Sequence, residues 1–505
     1  MSDTIAALAT PAGRSGIGVI RLSGNNSHAY AARLCNEPTL ELPPRHAALK
    51  TLVDIETGEP IDEAVLLYFK GPNSFTGEDV VEISCHGSPT LLRQVIDACL
   101  RLGARMAEAG EFTLRALANG RMNLEQAEAV RDLIDARTAE SARQAVRQLR
   151  GEFSNRLQPI KDKLLDTIVV LESALEFVED DLPASQTDRL RDDLSGIAVE
   201  IGRIASTFKA GRLLREGLKV TLAGRPNVGK SSLFNALLGM DRAIVTEIAG
   251  TTRDHINEDL SIDGVPISLM DTAGLRDTTD TVESIGVERS RRAVADADLV
   301  IVVIDAAEPL ESEDIGIIES VRGIQAIIAV NKIDKIDEAG LDGLLDTIRE
   351  IGDRSLDALL NSETTTVHAR PLIPVSAKTG AGLDRLRAAF IDPFITAAAV
   401  NIEAANSGES SVSLRSTATG RAGSAAFGTV SADTGFLVTD ARHHDLLIRA
   451  REEVLNSISL LDQNASEELT LVGLHNALRF LGQITGETTP EDMLTRIFST
   501  FCIGK

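Results

Sequence analysis

G-R-P-N-V-G-K-S, Gly224 to Ser231, decides the fold. It follows the apolar run L-K-V-T-L-A and precedes S-L-F-N-A-L-L, so it reads as a loop between a strand and a helix. That context gives the pattern its chemistry. Backbone N–H groups of the loop and of the helix N-terminus hold phosphate oxygens. Lys230 is placed to reach the β- and γ-phosphates and Ser231 to bind Mg²⁺.

Four further motifs follow in order. G-T-T-R-D, Gly250 to Asp254, supplies Thr252 as a switch threonine able to join Mg²⁺ beside a γ-phosphate. D-T-A-G, Asp271 to Gly274, ends the strand V-P-I-S-L-M; Asp271 can hold Mg²⁺ through water and Gly274 can donate its N–H to the γ-phosphate. N-K-I-D, Asn331 to Asp334, ends A-I-I-A-V, and its aspartate can accept from the paired N–H donors of guanine, which adenine lacks. S-A-K, Ser376 to Lys378, follows P-L-I-P-V and closes over the base. The five together predict a GTP site.

Ras-type enzymes orient the attacking water with a glutamine directly after D-x-x-G. Leu275 stands there and cannot polarise water. Asn227 lies where its side-chain carbonyl could help bind a monovalent cation beside the phosphates, acting as an arginine finger does. A carboxylate must then place the water. Asp277, Asp280 and Glu283 are available in R-D-T-T-D-T-V-E-S-I-G, and spacing does not choose among them.

Around this unit the chain changes character. Residues 1–119 alternate short apolar runs (G-I-G-V-I-R-L-S-G, A-V-L-L-Y-F, D-V-V-E-I-S-C) with Gly and Pro turns, and a helix ending on Gly103 follows the third, predicting an α+β domain. From 120 to 210 apolar residues recur at three- and four-residue spacing, predicting long helices of a bundle broken at Pro183. Residues 211–397 alternate strands and helices, the rhythm of a covered parallel sheet. Residues 398–440 hold a Ser- and Gly-rich stretch, 401–435, that reads as a linker or insertion. Helical periodicity returns from about 441 to 499, within a final segment 441–505 that completes the helical domain and carries the C-terminal C-I-G-K. The simplest architecture inserts the α/β unit in a helical domain built from both flanks.

The chain has 505 residues, 43% of them hydrophobic, with no apolar run of 18 or more and no signal-peptide pattern at its start. Its four cysteines, Cys35, Cys85, Cys99 and Cys502, form no C-x-x-C, so neither a zinc site nor a disulfide framework is predicted. A cytoplasmic protein without membrane attachment is the expectation. The net charge of −24 disfavours non-specific nucleic-acid binding, which needs Lys and Arg against phosphates. The Arg-rich stretch Arg131 to Arg156 reads first as a mixed-charge helix face. The last residues, F-C-I-G-K, place Gly504 and Lys505 where a C-terminal lipidation box has other residues, so the tail is expected to act inside the fold.

T-I-A-A-L-A-T-P-A-G-R-S-G-I-G-V-I-R, G-P-N-S-F-T-G-E-D, A-N-G-R-M-N-L-E-Q-A-E-A, G-R-P-N-V-G-K-S-S, I-A-G-T-T-R-D and the terminal F-C-I-G-K together resemble the MnmE (TrmE) family of tRNA-modification GTPases over nearly the whole chain. The resemblance implies an α+β domain similar to folate-binding domains, a helical domain, and a Ras-like P-loop GTPase domain inserted in it. It implies a homodimer made through the N-terminal domains, with the GTPase domains meeting when GTP and K⁺ are bound. It implies nucleotide contacts from Asn227, Val228, Gly229, Lys230, Ser231 and Ser232. Further contacts come from Thr246, Glu247, Ile248, Ala249, Gly250, Thr251 and Thr252, from Asp271, Thr272, Ala273 and Gly274, and from Asn331, Lys332, Asp334, Ser376, Ala377 and Lys378. Asn227, Thr246, Ile248 and Thr251 match the K⁺ ligands, Ser231 and Thr252 the Mg²⁺ ligands, and Glu283 the water-positioning glutamate.

The same resemblance implies work with an FAD-dependent partner, MnmG, in a heterotetramer or larger complex. The pair builds an aminomethyl or carboxymethylaminomethyl group on the wobble uridine of certain tRNAs. The one-carbon unit comes from a tetrahydrofolate derivative, 5-formyl- or methylene-tetrahydrofolate. Folate contacts carry over to Arg21, Glu82, Arg121 and Lys505: cations suit the glutamate tail and a carboxylate suits pterin N–H donors. Cys502 is either a nucleophile in that chemistry or pocket lining, and no histidine close in sequence activates it. Arg121 stands where some relatives have Lys, which keeps the charge but not the geometry. The rival reading is a ribosome-assembly GTPase switch, which shares the GTPase motifs but calls for a basic RNA-binding module that the chain does not display. A second rival is a folate-dependent transferase that the GTPase domain only regulates.

Overall fold

The computed structural model describes residues 3–176, 184–240, 257–271, 297–321, 324–357, 370–391, 436–463, 467–487 and Gly504. Pro183, the stretch 401–435 and the apolar run Met493 to Phe501 lie outside them. The chain forms two compact units. One comprises 1–134, 146–161 and 478–505; the other comprises 135–145 and 162–477.

The first unit is built on a six-stranded sheet of β1 (Ile5–Leu8), β2 (Ser15–Ser23), β3 (Ala47–Val53), β4 (Pro60–Phe69), β5 (Val80–Gly87) and β6 (Arg105–Met106), in the order β3-β4-β5-β2-β1-β6. Only the β1–β6 pair is parallel among these. Period-2 alternation decides the faces. In β4, Ala64, Leu66 and Tyr68 are buried while Val65 is exposed. Leu66, Ile83 and Ile20 line up across three strands. They share a core with α1 (Ser27–Leu34) and α2 (Pro89–Arg101). Ser88 precedes Pro89, whose missing N–H costs nothing in a first helical turn.

On the other face, Phe112 of α3 (Glu111–Ala118) and Phe75 pack with Ile5, Ala7 and Ala107. Further along it, Ile17, Leu49 and Val65 are exposed. α4 (Leu124–Asp135) buries Glu125, whose Oε1 accepts from the Ser154 N–H at 3.1 Å and its hydroxyl at 2.7 Å. Ser154 lies in α6 (Glu152–Glu176), which follows α5 (Ala139–Leu149).

In the second unit, α7 (Ala184–Ser206) packs against the helix Ala441–Asp462: Arg191 pairs with Asp462 at 2.6 Å, and Gly202 lies under Arg451. These helices come from opposite flanks of the α/β segment, so that segment is inserted between them. The chain enters it through α8 (Phe208–Glu216) and returns along 436–440. Entry and exit are joined. Val438 N–H donates to the Thr207 hydroxyl at 3.0 Å, and Arg215 pairs with Asp440 at 2.6 Å.

The inserted sheet holds β7 (Leu218–Ala223), β8 (Asn257–Ile262), β9 (Val265–Asp271), β10 (Leu299–Asp305), β11 (Ala326–Asn331) and β12 (Leu372–Pro374), in the order β12-β11-β10-β7-β9-β8. Every residue of β10 and β11 is buried, as a parallel sheet covered on both faces requires. The alternation of strands and helices predicts a parallel sheet, and one edge departs from it: β8 runs antiparallel to β9. Asp263 and Gly264 both take positive φ, the two-residue turn that D-G favours and that twists with its strands.

Candidate functional site

β7 delivers the chain to Gly224 and α9 (Lys230–Met240) carries it away. Gly224, at φ 153°, passes so close to β10 that a Cβ would lie 2.5 Å from the Val303 carbonyl. Asn227 and Gly229 also take positive φ, the kind of backbone from which anion-binding turns are built. Lys230 is largely buried; its Nζ donates to the carbonyls of Gly224 at 2.9 Å and Arg225 at 2.7 Å. The ammonium is thereby held across the mouth of the loop. Ser231 and Ser232 are exposed in the first turn of α9.

The base-side motifs are tied to this loop. Asn331, at the end of β11, donates through Nδ2 to the Val228 carbonyl at 3.0 Å and accepts through Oδ1 from the Ala377 N–H at 3.1 Å. Lys332 donates to the Asn227 carbonyl at 2.7 Å and to buried Asp305 at 2.5 Å. The Ser376 hydroxyl donates to Asp334 Oδ1 at 2.6 Å. That hydrogen bond holds the Asp334 carboxyl below its ordinary pKa, with Lys378 and Lys335 nearby adding to the effect. Asp334 is therefore an acceptor-only carboxylate, the group that the two N–H donors of guanine need.

Among the predicted residues, the structure brings Asn227, Val228, Gly229 and Lys230 together with Asn331, Lys332, Asp334, Ser376 and Ala377. Lys378 is exposed beside them. Asp271 closes β9 opposite Leu222, two residues before Gly224. The Ser231 hydroxyl is a hard oxygen donor of the kind Mg²⁺ takes. Thr246 to Thr252, Thr272 to Gly274, the carboxylates Asp277, Asp280 and Glu283, and the tail residues Cys502 and Lys505 lie outside the described residues.

The N-terminal unit holds a second constellation. Arg21 of β2 donates through Nε and Nη2 to Glu82 Oε1 at 2.9 and 2.7 Å, from the directly paired position on β5. Its Nη1 donates to the Gly504 carbonyl at 3.3 Å. The guanidinium carbon lies 5.7 Å from the ring centroids of both Phe75 and Phe112. Arg121 runs along Gly77. Gly504 takes φ 99° and presses on Leu8, whose carbonyl a Cβ would strike. A cation, a carboxylate, two aromatic rings and the returning tail thus meet on one patch. Sequence reasoning missed the two phenylalanines, although Phe75 stands inside the quoted G-P-N-S-F-T-G-E-D. Burial pushes the thiols of Cys85 and Cys99 up to about 12 and that of Cys35 to about 11, so none is a ready nucleophile.

A phosphate cradle on a strand-to-helix turn, with an ionised aspartate on the base side, defines the class: a P-loop GTPase domain carried on a helical scaffold. Comparison with known proteins narrows this. The model of the MnmE helical domain matches residues 124–502, and that of the GTP-binding protein TrmE N-terminus matches 4–121. A tRNA modification GTPase MnmE from Koribacter versatilis is 41% identical over 509 residues, and one from Aquifex aeolicus is 38% identical over 507, each covering 100% of both chains. The chain belongs to the MnmE family of tRNA modification GTPases. Among solved structures, a variant of Aquifex aeolicus Era bound to GDP.AlF4- is 29% identical, with a TM-score of 0.28, over 35% of this chain and 56% of its own. The G domain of the T. maritima FeoB iron transporter is also 29% identical, with a TM-score of 0.23, over 36% and 98%.

Proposed function

We propose that this chain is a K⁺-stimulated GTPase that acts with the FAD-dependent protein MnmG on tRNA. Together they add an aminomethyl or carboxymethylaminomethyl group to C5 of the wobble uridine, drawing one carbon from a tetrahydrofolate derivative. One observation carries the folate part: Arg21 pairs with Glu82, donates to the Gly504 carbonyl, and has its guanidinium carbon 5.7 Å from the ring centroids of both Phe75 and Phe112. Rings suit a pterin, a carboxylate suits its N–H donors, and Arg121 and Lys505 supply charge for the glutamate tail.

In the GTPase domain Lys230 meets the phosphates, and Ser231 and Thr252 hold Mg²⁺, which neutralises developing charge when bound. Asn227, Thr246, Ile248 and Thr251 hold K⁺, and Glu283 orients water in place of the glutamine that Leu275 replaces. The exposed, left-handed Asn227 supports this reading. Two copies associate through their N-terminal domains; exposed Ile17, Leu49 and Val65 support it. The domains run 1–119, 120–210, 211–397, 398–440 and 441–505, in the cytoplasm.

The test is a reconstitution with MnmG, tRNA, GTP and a folate donor, read by mass spectrometry of tRNA nucleosides. Arg21→Ala is expected to abolish the modified uridine while leaving GTP turnover within about twofold of the parent. Full modification by the Arg21→Ala protein would remove the folate assignment.

A further inference from the structure

Arg225 is the second residue of the phosphate loop, at a position the G-x-x-x-x-G-K-S pattern leaves free. Its side chain does not join the phosphate cradle. It engages the N-terminal end of the helix Ser312–Ser320, far along the chain. Nη1 lies 2.8 Å from Glu311 Oε1, and Nε lies 2.8 Å from Asp314 Oδ2 as an ion pair rather than an aligned hydrogen bond. Glu308 is 3.8 Å from Nη2. The Asp314 side chain is 1% exposed and that of Arg225 is 9% exposed, so the pair is buried, whereas Glu311 is mostly open. Asp314 is itself fixed, since Oδ2 accepts the Glu311 N–H at 3.0 Å and so caps its own helix.

The backbone of the same residue does something else. The Arg225 carbonyl accepts Lys230 Nζ at 2.7 Å, closer than the Gly224 carbonyl does at 2.9 Å. A rigid anchor therefore continues through one residue into the group that aims the phosphate-binding lysine. Within the loop around it, Asn227 is a non-glycine residue at φ 65°, a conformation that its surroundings must hold.

We propose that Arg225 is a positioning residue for GTP binding: anchored on Asp314, it fixes the carbonyl that sets where Lys230 meets the β- and γ-phosphates. Removing the cation leaves the buried Asp314 carboxylate uncompensated, a state that proteins relieve by moving or by admitting water. Either response shifts the Arg225 carbonyl. A lysine keeps the charge but not two directed contacts, so it restores only part of the effect. The inference rests on this loop being the nucleotide site.

The experiment uses the full chain and reads Kd for a fluorescent GDP analogue together with KM and kcat for GTP. Arg225→Met and Asp314→Asn are each expected to raise Kd and KM about tenfold, and Arg225→Lys about threefold. The double variant is expected to be no worse than the weaker single one, as coupled partners behave. A purely structural role would lower the melting temperature and the active fraction while leaving Kd and KM as in the parent, and that result would overturn the inference. Should Arg225→Met not fold, Asp314→Asn and Arg225→Lys carry the same test. Lys230→Ala separates the two readings. Parental binding by Lys230→Ala would reject the nucleotide site itself. Lost binding there, beside parental binding in the other variants, would reject only the role of Arg225.

Discussion

Asn331 bridges the two halves of the nucleotide site: one end of its amide holds the Val228 carbonyl at 3.0 Å and the other the Ala377 N–H at 3.1 Å. It is 1% exposed; its bond to the Val228 carbonyl is buried and that from the Ala377 N–H partly so. Gly229 lies so close to this amide that any Cβ would collide with it. Each buried polar group left unpaired costs about 1–3 kcal/mol. Asn331→Ala is therefore expected to lower GTP and GDP affinity by at least about tenfold, measured by displacement of a fluorescent guanine nucleotide. Unchanged affinity would mean that the phosphate and base loops keep their geometry without the bridge.

In the proposed GTP site Asp334 would read the base by charge and acceptance alone. Asp334→Asn puts an N–H₂ where guanine offers donors, and GTP affinity should fall by about 10²-fold or more. Xanthine carries a carbonyl where guanine carries its amino group, so XTP should bind the variant better than GTP does. Competition between the two nucleotides checks both directions. Retained preference for GTP would place base recognition elsewhere.

Asp440 starts the helix Ala441–Asp462, accepting the Arg442 N–H at 2.8 Å and pairing with Arg215. Burial would raise its pKa, but the neighbouring His443 and Arg215, with the hydrogen bonds from Arg215 and the Arg442 N–H, outweigh burial and hold it well below the ordinary 3.8. A depressed carboxylate stabilises the fold above its unfolded value, and that contribution is lost as pH falls through the folded one. Asp440→Ala removes a cap and the ion pair with Arg215, which together cost about 2–4 kcal/mol at neutral pH. The gap in melting temperature between parent and variant should shrink below about pH 4. A gap that stays constant to pH 3 would contradict the ion-pair account.

Gly504 takes φ 99° against Leu8, where no Cβ fits. Gly504→Val should unseat the tail from Arg21, weaken tetrahydrofolate binding by at least about tenfold in calorimetry, and leave GTP turnover near the parental rate. Parental folate affinity in this variant would detach the tail from the pocket.

Much of this was legible in the sequence, for a physical reason. β7, β9, β11 and β12 are apolar runs ending on motifs whose chemistry works only at strand ends, so pattern and function point the same way. β2, β4, β5 and α2 announce themselves by periodicity. What stayed hidden depends on partners distant in the chain. The β1–β6 pairing joins residues 100 positions apart. Arg225 looks like a filler position until Asp314 is beside it. The rings over Arg21 come from Phe75 and Phe112, and no spacing rule connects them to Gly504. The β8–β9 hairpin was readable from its D-G turn, but the βαβ rhythm on either side masked it.

In the proposed mechanism a cation held beside the phosphates takes the place of the glutamine absent after D-x-x-G. The measurement is GTP turnover in KCl against NaCl at equal ionic strength, for the parent and Asn227→Ala. The account predicts stimulation by K⁺ of at least about tenfold, lost in the variant. Equal rates in both salts would contradict it and leave Asn227 as a turn residue only.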